Sequence, residues 1–248
     1  MSIIATDQLR HLPFETLYDS KTKQFLIEKY PVNYLTRISN NSLKSPGVQN
    51  AVPPKLEAVL AFPRDPQNLP GAETEVRNIK EILPDSEVYI HNEATLEKFR
   101  SQALRFDFLH LATHGCFQTQ DCKKVKLKNN TLLFADKSLY IANAALLGLQ
   151  GTQLITLSAC QTAVDTNLNG AGIAGVAYIF ERAGAKAVMA TLWAVDDEAT
   201  QQLMVDFYQN LKQGMTKGEA LQQTKLKLIK DYPHPFYWSP FVLIGDAR

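Results

Sequence analysis

Short apolar runs recur along this chain, separated by amphipathic stretches of about 10–15 residues, a rhythm that specifies βαβ units. LEAVLAF (56–62), SEVYI (86–90), FDFLHLAT (106–113), TQLITLSAC (152–160), AKAVMATLW (185–193) and PFVLIG (240–245) read as strands. PGAETEVRNIKEIL, ATLEKFRSQAL, GIAGVAYIFERAG, DDEATQQLMVDFYQNLKQG and KGEALQQTKLKLIK read as helices between them. The first of these spaces Val76, Ile79 and Ile82 or Leu83 along one face. Strands that are apolar throughout must be covered on both sides. The expected fold class is therefore α/β, a mostly parallel central sheet with helices on both faces.

The remaining segments are smaller. SIIA opens the chain as a strand, and QFLIEKY with VNYLTRIS is expected to form a small N-terminal hairpin. Residues 39–55, rich in Ser, Asn, Pro and Gly, read as a surface loop. TLLFADKSLYI reads as a second hairpin with Asp136 and Lys137 at its turn, followed by a short helix from Asn143 to Leu147. A sheet of this kind accommodates all 248 residues in one domain, 1–248.

Composition excludes several classes. The net charge of +1 exerts no general pull toward nucleic acid or acidic membranes. Lys123, Lys124, Lys126 and Lys128 cluster without interleaved aromatics, as a solvated loop does. MSIIATDQLRHLPF lacks both the basic and the apolar region of a signal peptide, and no run approaches the roughly 18 apolar residues of a membrane span. A cytoplasmic protein is expected. Three cysteines, Cys116, Cys122 and Cys160, argue against a disulfide scaffold and for free thiols. His114, Cys116 and Cys122 match no paired zinc-ligand spacing, so no metal is expected.

Two of the apolar runs end at reactive side chains, His114 and Cys160. Open parallel sheets bind ligands at the carboxyl ends of their strands, so neighbouring runs would bring imidazole and thiol to one edge. A thiolate attacks a carbonyl, and a nearby imidazole takes its proton or hands one to the leaving amine. Gly115 has no Cβ, so its N–H can approach a substrate oxygen and, with the Cys160 N–H, form an oxyanion hole. Alone, a Cys at a strand end is more often a small buried hydrophobe. His11, His91, His110 and His234 carry no functional argument; His110, inside the strand, is read as packing. HPFYWSPF is read as core packing that seats the last strand.

Gly170, Gly172 and Gly175 spell G-x-G-x-x-G, with Asp196 about 20 positions on, the fingerprint of a dinucleotide site. That motif must open a helix directly after its strand, whereas here the strand ends near Cys160. No nucleotide cofactor is expected.

HLATHG, LSACQT, GAGIAGVAYIFERAGAKAVMATLWAVDDEAT and HPFYWSPFVLIG, in that order, closely resemble the CHAT peptidase family, with DQLRHLPFETLYD and LPGAETEVRNI extending the likeness over nearly the whole chain. The resemblance implies a caspase-like three-layer sandwich, related to separase in clan CD. It implies a cysteine endopeptidase with His114 as acid/base and Cys160 as nucleophile, needing no third catalytic residue and no cofactor. Gln161 stands where the family often has Glu. The chain begins at its first strand, so an upstream helix and a repeat region are expected to be missing. A tetratricopeptide-repeat region or a regulatory partner is implied, besides a protein or peptide substrate. LWAVDDEAT resembles the separase segment in which an acidic residue helps receive a basic P1 side chain. Asp196 and Asp197 are the candidates, with Trp193 as an apolar wall and Asp165 a weaker choice; either aspartate could instead cap the following helix. The alternative is a catalytically silent caspase-like interaction module.

Overall fold

The computed structural model describes residues 1–6, 9–10, 12–37, 58–61, 70–116, 128, 130–158, 172–193 and 197–248. Its strands are β1 (Ser2–Ile3), β2 (Tyr18–Asp19), β3 (Gln24–Phe25), β4 (Asn33–Tyr34), β5 (Ala58–Ala61), β6 (Glu87–Tyr89), β7 (Phe108–Ala112), β8 (Gly115–Cys116), β9 (Thr131–Leu133), β10 (Ser138–Tyr140), β11 (Leu154–Leu157), β12 (Ala187–Thr191) and β13 (Phe241–Gly245). The helices are α1 (Leu26–Lys29), α2 (Pro70–Ile82), α3 (Leu96–Gln102), α4 (Gly172–Ala183), α5 (Asp197–Lys212), α6 (Lys217–Asp231) and α7 (Pro235–Trp238).

The apolar runs meet in one sheet in the order β1-β4-β13-β12-β11-β7-β5-β6. The β12–β13 pairing is antiparallel and the other neighbours in that order are parallel. Every residue of β7, β11, β12 and β13 is buried, which is why these segments are apolar without alternation. The right-handed crossover rule assigns α2 to one face and α3 and α4 to the other. On the first face α2 packs against α5, and α5 against α6; on the second α4 packs against β12 and the 3-10 turn Ile141–Leu146. A mixed α/β sandwich with a mostly parallel sheet results, as expected.

Helix α2 buries Val76 and Ile79 along its inner face and leaves Ile82 partly buried, and Leu83, just past its end, is buried with them. Thr95 caps α3, its hydroxyl accepting from the Lys98 N–H at 3.0 Å. Asp136, in the β9–β10 turn, accepts from the Leu96 N–H at 2.7 Å and so ties the expected hairpin to that helix. Helix α4 ends at Gly184, whose φ of 114° and tight approach to the Gln150 backbone exclude a side chain.

The N-terminal hairpin differs from its expectation. A small hairpin is present, but it joins β2 to β3. QFLIEKY turns helical after Phe25, whose N–H donates to the Glu28 carboxylate at 2.6 Å, starting α1 where a longer strand was expected. VNYLTRIS supplies β4, which enters the main sheet between β1 and β13. There Asn33 donates to the Gly245 carbonyl at 2.8 Å, a bond a surface hairpin would not need. Glu15, buried nearby, accepts from Tyr34 and from Lys225 of α6, and Lys225 also donates to the Phe241 carbonyl. The N-terminal segment is thus fastened at Glu15, Asn33 and Tyr34 to the closing helix and strand. Trp238 of α7 is fully buried, edge-on to Phe25, in the packing role read for HPFYWSPF.

Candidate active site

β7 and β11 lie side by side in parallel. Each aligned pair is separated by 46 residues, from Phe108 with Leu154 to Leu111 with Leu157. The same 46 residues separate His114 from Cys160. The pairing continues past β11, because the Ser158 N–H donates to the Leu111 carbonyl at 3.1 Å. β12 keeps its own register with β11, Ile155 with Val188 and Thr156 with Met189, and the same spacing relates Cys160 to Trp193.

His114 is half-buried just beyond β7. Leu133 of β9 holds its backbone from two directions: the Thr113 hydroxyl donates to the Leu133 carbonyl at 2.8 Å, and the Leu133 N–H donates to the His114 carbonyl at 2.9 Å. That second bond makes Gly115 and Leu132 a non-hydrogen-bonded antiparallel pair. The Gly115 N–H therefore points away from β9. β8 then carries Cys116, which is buried and disulfide-bonded. The expectation of free thiols fails at Cys116: an odd cysteine count rules out complete pairing, yet permits a single bridge. Cys122 and Cys160 lie outside the described residues.

Trp193, partly buried, stacks on Phe236 with ring centroids 6.2 Å apart and donates from Nε1 to the Phe236 carbonyl at 3.1 Å. Phe236 is 45 % exposed, so the pair forms an open aromatic wall beyond the end of β12. Asp197 is the first residue of α5, while Asp196 and Asp165 lie outside the described residues. Among the glycines of the dinucleotide-like motif, Gly172 opens α4 and Gly175 lies within it. Residues 158–171 stand between that helix and β11, too many for a phosphate-binding strand–helix turn.

Beneath the strand ends lies a polar cluster that sequence reasoning did not find. His110 Nε2 is 2.6 Å from Glu75 Oε1 of α2 and 3.1 Å from Ser158 Oγ. His110 Nδ1 is 3.0 Å from Tyr208 Oη of α5, and Tyr208 donates to Thr156 Oγ1 at 3.2 Å. All five residues are buried. Burial, reinforced by the Glu75 charge, pushes the Tyr208 phenol well above its ordinary value, so it remains a donor. The available signal was a histidine interrupting an otherwise apolar strand; a bare imidazole there needs partners.

The CHAT domain family model matches residues 1–246. This chain belongs to the CHAT domain family. Tetratricopeptide repeat protein 28 of Homo sapiens is 23 % identical over 294 residues, covering 98 % of this CHAT domain. The chain spans only 12 % of that relative's length. Among solved structures, the separase–securin complex of Saccharomyces cerevisiae has a TM-score of 0.60 at 12 % identity, covering 95 % of this chain and 14 % of that one. The Arg-specific cysteine proteinase gingipain R has a TM-score of 0.53 at 10 % identity, covering 79 % and 48 %. At such identities the likeness establishes a caspase-like fold for the CHAT domain. Among its described residues no helix is long and apolar enough to cross a membrane.

Proposed function

We propose that this CHAT domain is a cytoplasmic cysteine endopeptidase acting through a His114–Cys160 dyad. The observation that carries this is the shared 46-residue offset: the register of β7 with β11 equals the sequence separation of His114 from Cys160. Cys160 attacks the scissile carbonyl as thiolate, His114 moves the proton to the leaving amine, and water then hydrolyses the acyl-enzyme. The Gly115 N–H, turned away from β9, and the Cys160 N–H hold the oxyanion. Trp193, backed by Phe236, lines the substrate groove. Asp196 and Asp197, with Asp165 in support, receive a basic P1 side chain. The substrate is a protein or peptide, and a tetratricopeptide-repeat region or regulatory protein governs access. The repeat protein among the relatives and the securin bound to the yeast separase support such a partner.

The test is alkylation by iodoacetamide at pH 6 with a reductant present, read by mass spectrometry at each cysteine. Selective labelling of Cys160 that vanishes in His114→Ala is expected, and equal labelling of all three cysteines points instead to a silent interaction module. Profiling a peptide library with wild type and Cys160→Ala then defines the preferred residues. Asp196→Ala and Asp197→Ala should lower kcat/KM on Arg-P1 peptides; unchanged kinetics in both would end the basic-P1 assignment.

A further inference from the structure

We propose that Glu75, His110, Ser158, Thr156 and Tyr208 form a positioning device that sets the level of the strand end leading to Cys160 against the strand end carrying His114. This rests on the reading of His114 and Cys160 as the catalytic pair.

Strand geometry decides which faces the side chains take. His110 and Thr156 are aligned partners on β7 and β11, and both reach the face covered by α2 and α5. Ser158, two residues past Thr156, joins the same cluster. Side chains alternate with a period of two along a strand. In sequence, Ser158 stands two residues before the proposed nucleophile and His110 four before the proposed acid/base. None of the five needs to touch substrate.

A second feature is where the partners come from. The imidazole of His110 contacts a helix on one side through Glu75, another helix on the other through Tyr208, and the neighbouring strand exit through Ser158. Three separate segments therefore meet on one ring. Backbone pairing joins β7 and β11 laterally, but sliding by one residue would exchange the faces of every later side chain. A slide would also strip the buried carboxylate and imidazole of their partners, which is costly in a water-excluded interior. The cluster thereby penalises any register of β7 with β11 except the 46-residue offset, which is also the separation of His114 from Cys160. Helix α5, which supplies Tyr208, begins at Asp197, so the same ring ties the proposed P1 segment to the dyad.

The closing experiment compares wild type with Ser158→Ala, Glu75→Gln and Tyr208→Phe, in reductant. It measures thermal midpoint, kcat and KM on a library-selected fluorogenic peptide, and the pH profile of Cys160 alkylation by iodoacetamide. A small misplacement of reacting groups lowers turnover by about ten- to a hundredfold, so kcat should fall by that range with KM within about twofold. The acid limb of the alkylation profile should move toward the ordinary thiol pKa of about 8.5 as Cys160 loses His114. Ser158→Ala is the mildest variant, since Glu75 still partners His110 Nε2; if one variant fails to fold, the other two give the same readout. Folded variants with lowered thermal midpoints but wild-type kcat and alkylation profiles would show a purely structural cluster and overturn the proposal, leaving the dyad intact. A wild type whose Cys160 labelling is indifferent to His114→Ala overturns the dyad reading, and this proposal with it.

Discussion

Two buried acid–base clusters, both almost closed to solvent, hold different parts of this molecule. Glu15 and Lys225, with Tyr34 and the Phe241 carbonyl, join the N-terminal segment to the last helix and strand. Glu75 and His110 join two helices to the middle of the sheet, directly below the strand ends that lead to His114 and Cys160. The first cluster bridges parts of the chain 210 residues apart and, among the described residues, touches nothing assigned a chemical role. The second has every member within or against a strand that exits toward the proposed site. Buried ion pairs of similar composition thus serve closure in one place and register in another, and what separates them is which strand ends they restrain.

Breaking the closing cluster should cost the most. Lys225→Met leaves the Glu15 carboxylate buried with Tyr34 as its remaining partner among those described, and stranding one member of such a pair costs about 3–5 kcal/mol. Denaturant midpoints should fall accordingly, while kcat of the protein that stays folded matches wild type. Adding Glu15→Gln should recover much of the loss, because the uncompensated charge is then gone. If Lys225→Met instead lowered kcat with little change in stability, the division between the two clusters would collapse.

Tyr208→Phe probes the other side with a smaller change. It removes one hydroxyl shared by His110 Nδ1 and Thr156 Oγ1 and keeps the ring that packs on both His110 and Phe207. Leaving a buried partner unsatisfied costs about 1–3 kcal/mol. The comparison predicts that this milder loss of stability comes with a lower kcat, the reverse of the Lys225→Met pattern. Chemical denaturation and steady-state kinetics on the same preparations decide it.

How much of this was legible in the sequence depended on whether a feature was local. The strands β5, β6, β7, β11, β12 and β13 and the helices between them follow from apolar runs and their spacing, which need no partner to be recognised. The separation of His114 from Cys160 was also readable, but its meaning was not, because it acquires force only beside the β7–β11 register. The hairpin expected from QFLIEKY failed for a similar reason. Its residues suit a strand or a helical turn, and the Glu28 bond to Phe25 together with the vacancy beside β13 selects the turn for one half and the main sheet for the other. Glu75, Ser158 and Tyr208 gave no signal at all: each is an ordinary residue in its own segment and becomes informative only when three elements converge on His110.

Lys217 supplies the sharpest test of what pairing contributes. It lies on the same helix as Lys225 and is nearly as buried, at 4 % exposure. Burial lowers its pKa to about 8; Asp246 opposes that shift, while Arg248 and Lys186 add to it. A lysine depressed in the folded state is protonated more fully in the unfolded chain, so between about pH 8 and pH 10 the unfolded state binds more protons and stability rises with pH. The slope approaches but does not exceed one proton, about 1.4 kcal/mol per pH unit. Above pH 10 the gain is opposed: Tyr34 and Tyr208 are held above their ordinary values by burial first, so unfolding releases their protons. Urea midpoints measured from pH 7 to 10 should therefore climb in wild type and flatten in Lys217→Met, with the two curves furthest apart at the neutral end. Parallel curves would mean that Lys217 keeps its charge in the fold. The contrast with Lys225 would then lie in how each side chain packs, since both would be charged.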